Sequence, residues 1–200
     1  MSDHVAKTRF TYDRIAAQFL ENTRDRSVIA RELDAFASSL PAAALVVDLG
    51  AGPAFDSAEL RLRGLRAVSI DLSLGMLQVG VPEFPGPRVQ ADMRQLPFHS
   101  ASVSGVWANA CLLHLTPQEA TTALREARRV LQDGGVIHLS VKLGSGSEWE
   151  VARYGQARWF QYWSAGALDT ALQEAGFQVV ASRLNQTSNA TWLVRHARAA

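Results

Sequence analysis

The sequence predicts a single α/β domain built around a doubly wound parallel sheet. Apolar runs of strand length alternate with helical patterns along most of the chain. Most of these runs are continuously apolar, a pattern typical of strands that are covered by helices on both faces. The length of 200 residues fits one such core, because single domains of this class commonly reach that size.

Two amphipathic helices are predicted before the first strand. Apolar residues recur at helical spacing from Tyr12 to Leu20 and again from Ile29 to Leu40. The strand-length runs then follow at Ala44–Leu49, Ala67–Ile70, Val89, Val103–Ala108, Val136–Val141, Phe177–Val180 and Thr191–Ala197. Helical patterns separate them at Ser57–Leu65, Leu74–Val79, Gln118–Leu131 and Ala165–Ala175. This order predicts right-handed crossovers between parallel strands.

The helix predicted at Gln118–Leu131 has the clearest boundary signals. Pro117 precedes it and Glu119 lies in its first turn, both of which are typical of a helix start. The pair Gly134-Gly135 is expected to end it.

Composition narrows the possible partners. Lys and Arg number 20 against 19 Asp and Glu, so the formal charge of +1 argues against a nucleic-acid or membrane surface as the partner. Cys111 is the single cysteine, which excludes an intrachain disulfide and a multi-cysteine zinc site, and no metal is expected. The start of the chain has no apolar stretch of the kind that a signal peptide needs. We therefore expect a cytoplasmic protein.

Small residues follow the first predicted strand, where the chain must turn toward a helix. Gly50 and Gly52 allow positive φ there and let a ligand touch the backbone. Glycines between a strand and a helix also serve packing, so this signal alone leaves both interpretations open.

Acidic residues follow the next two strands. Asp71 ends the second strand, where a carboxylate can accept hydrogen bonds from both ribose hydroxyls of a nucleotide. Its alternative role is a helix N-cap, which Ser73 can also fill. After the third strand, Asp92 can accept a hydrogen bond from an exocyclic amine, and Met93 can pack on a purine ring. Because all three signals lie at strand carboxyl ends, they predict a site for an adenine nucleoside.

Short motifs recur in the order seen in one known family. They are Asp48-Leu49-Gly50-Ala51-Gly52, Asp71-Leu72-Ser73, Met76-Leu77, Ala91-Asp92-Met93, Leu96-Pro97-Phe98, Trp107-Ala108-Asn109-Ala110 and Leu113-His114-Leu115. With them the chain, from about Tyr12 to its end, resembles the class I S-adenosylmethionine-dependent methyltransferases, in particular the small type 11 group. The resemblance implies a Rossmann-like, seven-stranded mixed sheet of order 3-2-1-4-5-7-6 with strand 7 antiparallel. It also implies one domain over residues 1–200, with a helical cap over 1–40 and a cofactor-binding core over 41–200.

The resemblance also implies S-adenosylmethionine as the cofactor and S-adenosylhomocysteine as its product. Gly50 and Gly52 would approach the methionine part, Asp71 would hold the ribose, and Asn109 would lie near the sulfonium. Around the adenine, Leu72 and Met93 would flank the ring and Asp92 would bind its amino group. The remaining positions carried over from the cofactor motifs are Asp48, Ala51 and Met76.

Two positions depart from the family pattern. Ala54 replaces a third glycine, which puts a positive φ at that position in doubt. Asp133 replaces a proline before Gly134-Gly135, a change that should affect turn rigidity more than chemistry.

Methyl transfer from a sulfonium is an in-line displacement, so the protein has to align the acceptor and exclude water. A base assists when the acceptor is a hydroxyl or a protonated amine, and His114 lies in a loop beyond the carboxyl edge of the sheet. His114 is therefore a candidate base or substrate contact, although a packed structural histidine is the alternative. Tyr12 is expected to close over the cofactor as part of a lid, with plain packing as its alternative.

Aromatic residues cluster in the segment Gly144–Trp163, which in the resembling family often borders the acceptor pocket. They are Trp149, Tyr154, Trp159, Phe160, Tyr162 and Trp163. An apolar or aromatic small-molecule acceptor is the expectation, with core packing as the alternative for about half of these residues. The sequence does not choose between a monomer and a homodimer.

Two other functions compete with methyl transfer. A nicotinamide-dependent oxidoreductase would need glycine at the position of Phe55, whose bulk would obstruct the pyrophosphate. A non-catalytic S-adenosylmethionine sensor would keep the cofactor residues and lack a usable acceptor pocket, and the sequence leaves this possibility open.

Overall fold

A seven-stranded sheet forms the centre of the fold in the computed structural model, which describes residues 2–151 and 153–200. Met1 of the predicted cap and Ala152 of the predicted aromatic segment lie outside the described residues. The strands are β1 (Leu45–Leu49), β2 (Arg66–Asp71), β3 (Arg88–Gln90), β4 (Val103–Asn109), β5 (Leu131–Lys142), β6 (Ser147–Glu150), β7 (Arg158–Gln161), β8 (Phe177–Gln186) and β9 (Thr191–Ala199).

The order of strands in this sheet is β3-β2-β1-β4-β5-β9-β8. Neighbouring strands from β3 to β5 run parallel, and β9 runs antiparallel to both β5 and β8. Strands β6 and β7 pair separately as a two-stranded hairpin. When that hairpin is left out of the numbering, the predicted order and the antiparallel last strand are both confirmed.

Helices cover both faces of the sheet. They are α1 (Asp3–Asn22), α2 (Ala30–Ser38), α3 (Phe55–Leu62), α4 (Leu74–Val79), α5 (Pro117–Val130) and α6 (Ala165–Glu174). Two separate apolar clusters result, and the smaller one joins Phe36 of α2 and Leu60 of α3 to Trp107 of β4. Two-sided burial explains why the strand sequences are continuously apolar.

Helix α5 begins and ends within one residue of its predicted bounds, but the glycines after it do not end it. A capping box starts it, in which the Thr116 amide donates to the Glu119 carboxylate at 3.0 Å. The helix stops at Val130, so the expectation that Gly134-Gly135 ends it is wrong. Both glycines lie inside β5, which starts directly at Leu131 and has an irregular register against β4 near this end.

The β6–β7 hairpin, within the aromatic segment, was not predicted. Its strands are only four residues long each, and it packs against α1. The Trp159 amide donates to Thr8 Oγ1 at 3.0 Å, and Thr11 Oγ1 donates to the Ala157 carbonyl at 2.7 Å.

The other side of α1 is attached to the start of α4. Asp13 Oδ1 accepts hydrogen bonds from Ser73 Oγ at 2.6 Å and from the Gly75 amide at 3.0 Å. Helix α1 therefore bridges α4 and the hairpin and covers the carboxyl ends of the central strands. In the described part of the chain, no helix combines the length and the apolar character needed to cross a membrane.

Candidate active site

A cavity of about 930 Å³ lies at the carboxyl ends of β1, β2 and β4, beneath α1. It extends from the Gly50–Gly52 turn, past residues 109–111, to the β6–β7 hairpin and the β8–β9 end of the sheet. Every residue predicted as a site residue borders this cavity: Tyr12, Asp48, Gly50, Ala51, Gly52, Asp71, Leu72, Met76, Asp92, Met93, Asn109 and His114.

The turn after β1 has the positive φ angles that its glycines suggested. Gly50 and Gly52 have φ of 64° and 54°, and Ala54 has φ of 76° although it carries a side chain. A Cβ added at Gly50 would lie 2.3 Å from Cys111 Cβ, whereas one added at Gly52 would meet only Phe19, at 3.8 Å. Gly50 therefore makes room for Cys111, and Gly52 exposes its backbone to the cavity.

Asp71 holds the turn from the end of β2. Its carboxylate accepts hydrogen bonds from the amides of Gly52 and Ser73, both at 2.8 Å. Ser73 also caps α4, because its Oγ accepts from the Met76 amide at 3.1 Å. Burial raises the pKa of Asp71 to about 6. Because each carboxylate oxygen can accept a second hydrogen bond, Asp71 retains acceptor capacity toward the cavity.

Asp92 is bound to an arginine that the sequence analysis did not single out. Arg94 Nη2 lies 2.6 Å from Asp92 Oδ2, Arg94 Nε lies 2.9 Å from Oδ1, and Arg94 Nη1 contacts Glu119 at 2.6 Å. Burial alone would raise the pKa of Asp92, but the hydrogen bonds from Arg94 hold it below its usual value. Asp92 is thus a fixed anion beside Leu72 and Met93.

Asp48 and Asn109 use their side chains within the protein. The buried Asp48 carboxylate accepts from Ser57 Oγ at 2.6 Å. Asn109 Oδ1 accepts from Ser140 Oγ at 2.6 Å, and Asn109 Nδ2 donates to Asp56 Oδ2 at 3.1 Å. Both residues therefore build the floor of the cavity.

Asp56 joins three elements beneath the cavity and was missed in the sequence. It accepts hydrogen bonds from Arg26 Nε at 2.7 Å, from Trp107 Nε1 at 2.9 Å and from Asn109. In the sequence, Asp56 is recognisable only as an acidic residue at the start of a predicted helix. Acidic residues are common at that position because they stabilise the helix, so this pattern does not indicate a role in the site.

Tyr12 and His114 meet over the cavity. Tyr12 Oη lies 2.8 Å from His114 Nε2, and His114 Nδ1 lies 2.6 Å from the Trp159 carbonyl oxygen. Because a carbonyl only accepts, Nδ1 carries the proton and Nε2 accepts from the Tyr12 hydroxyl. Burial lowers the pKa of His114 to about 3 and raises that of Tyr12 to about 12, so both groups are neutral.

Near the β6–β7 hairpin, the cavity is lined by aromatic rings and charged groups. Of the predicted aromatic residues, Phe160 and Tyr162 line it. Tyr154 and Trp163 are buried without lining the cavity, and Trp149 is exposed. The charged groups are Lys142, Glu150, Arg153 and Arg158. Across residues 2–151 and 153–200, no three His, Cys, Asp or Glu side chains come together as a metal site.

Comparisons with known proteins agree with this geometry. Residues 47–139 match the sequence model of a family described as "Methyltransferase domain". The 1,6-didemethyltoxoflavin-N1-methyltransferase of Burkholderia thailandensis, solved with 1,6-didemethyltoxoflavin and S-adenosylhomocysteine, superposes with a TM-score of 0.77 at 22% identity. The superposition covers 100% of this chain and 91% of that one. Residues 47–139 are thus similar to this methyltransferase family, and the fold of the whole chain is that of the Burkholderia enzyme.

The chain also has curated relatives. It is 29% identical over 182 residues to the biotin biosynthesis bifunctional protein BioHC of Cellvibrio japonicus, covering 88% of this chain and 34% of that protein. It is 32% identical over 140 residues to the malonyl-[acyl-carrier protein] O-methyltransferase of Dechloromonas aromatica, covering 68% of this chain and 50% of that protein. The chain thus spans between a third and a half of the length of these relatives.

The resemblance to class I S-adenosylmethionine-dependent methyltransferases is confirmed, and it implies S-adenosylmethionine as the cofactor. The site fits that cofactor. Gly52 leaves open space beside its backbone, Asp71 retains acceptor capacity, and Asp92 is a fixed anion at the wall of the cavity.

Proposed function

We propose that the protein transfers a methyl group from S-adenosylmethionine to a small-molecule acceptor. The observation that carries this proposal is the size and lining of the cavity. Its volume of about 930 Å³ is near the upper end of the roughly 300–1,000 Å³ of ligand sites, which leaves room for an acceptor beside the cofactor. Besides the predicted cofactor residues, Tyr12, His114 and Phe160 line the cavity and lie together at its hairpin end, which we call the acceptor half.

The cofactor would be held at the β1 and β2 ends. The Gly50–Gly52 turn would face its methionine part, Asp71 would accept from the ribose hydroxyls, and Asp92 would accept from the adenine amine. When bound, the cofactor supplies a methyl group activated by a positively charged sulfur.

Residues of this chain would orient the acceptor and exclude water. Helix α1 lies over the cavity and is bonded on both sides, through Asp13 to α4 and through Thr8 and Thr11 to the hairpin region. A closed site of this kind favours displacement over hydrolysis. Helix α1 would thus serve as the lid.

Tyr12 and His114 would position the nucleophile. Since the Tyr12 hydroxyl donates to His114, its oxygen can still accept a hydrogen bond from an acceptor hydroxyl or amine. A His114 pKa of about 3 makes the imidazole a weak base in this state. We therefore propose that His114 fixes Tyr12 and that Tyr12 touches the substrate.

Two alternatives make different demands on the site. A nicotinamide cofactor needs a small residue at position 55, and Phe55 is a buried side chain packed edge-to-face on Phe84. A sensor would need no second half of the cavity, whereas this cavity continues past His114 to Tyr162 and Trp192.

A transfer experiment tests the proposal. Purified protein is incubated with methyl-labelled S-adenosylmethionine and a protein-free metabolite extract, and the small-molecule fraction is assayed for label. We expect label in a small molecule with the natural protein and much less with Tyr12→Phe. Binding of S-adenosylhomocysteine without label transfer to any fraction would favour the sensor.

A further inference from the structure

Two cations and one carboxylate face the acceptor half of the cavity from neighbouring elements. Lys142 ends β5, Arg158 begins β7, and Glu150 ends β6. Arg158 Nη2 donates to Glu150 Oε1 at 2.9 Å, and Lys142 Nζ lies 3.8 Å from Glu150 Oε2. One carboxylate is therefore shared between two positive groups. These three groups together have a net charge of +1, and the exposed Arg153 adds a further positive charge at the cavity.

Arg158 is almost entirely removed from solvent. Its residue is 5% exposed, and its guanidinium carbon lies 4.7 Å, 5.2 Å and 5.8 Å from the ring centres of Tyr154, Phe160 and Tyr12. These rings stabilise the cation, but they accept no conventional hydrogen bond.

One donor of the guanidinium has no partner in the described structure. Its Nη2 donates to Glu150, while its buried Nε donates to no group among residues 2–151 and 153–200. A buried donor without a partner is costly, so the environment of Arg158 is not fully satisfied by the described residues. The planar guanidinium suits the two oxygens of a carboxylate.

Lys142 approaches the same space from the sheet. Its Nζ lies 3.9 Å from the centre of the Phe160 ring, and it shares one face of β5 with Ser140 and His138, which also border the cavity. Both cations lie next to the Tyr12–His114 pair, because Arg158 packs on Tyr12 and the His114 ring packs on Phe160.

From this arrangement we infer that the methyl acceptor carries a carboxylate, which Arg158 and Lys142 hold beside Tyr12. A carboxylate neutralises the net charge of Lys142, Arg158 and Glu150, and its planar shape matches the planar guanidinium of Arg158. The aromatic walls, Phe160 and Tyr162, would cover an apolar or planar body attached to that carboxylate. The inference rests on the proposed function and names the substrate class of that site.

The test uses matched pairs of acids and amides as probes. Benzoate, phenylacetate and cinnamate, each with its primary amide, are titrated by NMR into protein saturated with S-adenosylhomocysteine. We expect at least one acid to bind about tenfold tighter than its amide, because only the acid forms charge-assisted hydrogen bonds. Arg158→Gln should abolish most of that preference, while Arg158→Lys should keep part of it.

Controls separate this inference from folding and from the proposed function. Arg66→Gln removes an exposed cation that does not line the cavity, so the acid preference should stay within about twofold. If Arg158→Gln does not fold, Lys142→Met provides the same comparison. Failure of the natural protein to bind S-adenosylhomocysteine would contradict the proposed function itself.

With S-adenosylhomocysteine bound, three results would overturn the inference alone. The first is equal binding of acid and amide in all three pairs. The second is a preference for the acid that remains in both Arg158→Gln and Lys142→Met. The third is tighter binding of phenyl phosphate than of any of the three acids.

Discussion

The Tyr12 hydroxyl donates a hydrogen bond of 2.8 Å to His114 Nε2, joining α1 to the loop after β4. The two residues are 102 positions apart in the chain. His114 in turn is fixed by the Trp159 carbonyl, so the hairpin, the helix and the loop share one chain of hydrogen bonds. This chain of bonds ends at the Tyr12 oxygen, on the border of the acceptor half of the cavity.

Tyr12→Phe is expected to lower the rate of methyl transfer by about ten- to a hundredfold, because the acceptor loses its orienting oxygen. The affinity for S-adenosylhomocysteine should change by no more than about twofold. Single-turnover kinetics with labelled cofactor measures the first, and calorimetry measures the second. Tyr162→Phe is the matched control, since it removes a cavity-lining hydroxyl that is bonded to Glu148 instead.

The same pair predicts a particular pH profile. With the pKa of His114 at about 3 and that of Tyr12 at about 12, neither group titrates between pH 5 and 9. The rate constant for transfer at saturating cofactor should therefore show no limb near pH 6.5 that depends on His114. An ascending limb there that disappears in His114→Gln would identify His114 as a general base and contradict the positioning role.

Asp71 predicts that cofactor affinity depends on pH. Its folded pKa of about 6 lies above the usual value for an aspartate because the carboxyl is buried. The carboxylate accepts from ribose hydroxyls only above that pKa, so affinity should be full near pH 8 and should fall as pH drops through about 6. Asp71→Asn should bind S-adenosylhomocysteine about 1–3 kcal/mol more weakly at pH 8 and lose this pH dependence. If Asp71→Asn binds S-adenosylhomocysteine with unchanged affinity, the Asp71 carboxylate does not bind the ribose.

Asp56→Ala is expected to lower the free energy of unfolding by about 3–5 kcal/mol, because it leaves Arg26 without its carboxylate and Trp107 Nε1 without its acceptor. Urea denaturation measures the change. The control is Asp34→Ala, whose carboxylate is 69% exposed and pairs with Arg63 at 2.8 Å. That variant should lose less than about 1 kcal/mol, and similar losses in the two variants would show that the Asp56 cluster is not important for stability.

Gly50→Ala is expected to destabilise the fold more than Gly134→Ala, by about 1–3 kcal/mol. Both glycines have positive φ, 64° and 73°, so the backbone strain of an added side chain is similar. Only at Gly50 would the new Cβ collide with another residue, since nothing lies within 4 Å of one at Gly134. Thermal unfolding of the two variants isolates the contact with Cys111. Equal losses would mean that the cavity floor shifts to accept the methyl group.

Local patterns predicted most of the sheet, because each central strand is a continuous apolar run and each crossover helix has its own periodicity. The turn after β1 was also predictable from local sequence, because glycines such as Gly50 and Gly52 favour positive φ. Ala54 shows the limit of that argument. It adopts a φ of 76° because the turn and the start of α3 impose it, in spite of its side chain.

What could not be predicted depends on contacts between distant segments. The hairpin strands Ser147–Glu150 and Arg158–Gln161 are short and partly charged, so they lack the apolar signal of the main sheet. The arginine on Asp92 and the pairing of Tyr12 with His114 depend on where side chains point after folding, which periodicity does not encode.

A calorimetric titration of the natural protein with S-adenosylhomocysteine and, separately, with NADH distinguishes a methyltransferase site from a nicotinamide site. We expect micromolar, one-to-one binding of S-adenosylhomocysteine and no heat with NADH. Tight binding of NADH without binding of S-adenosylhomocysteine would contradict the assignment of this cavity to methyl transfer.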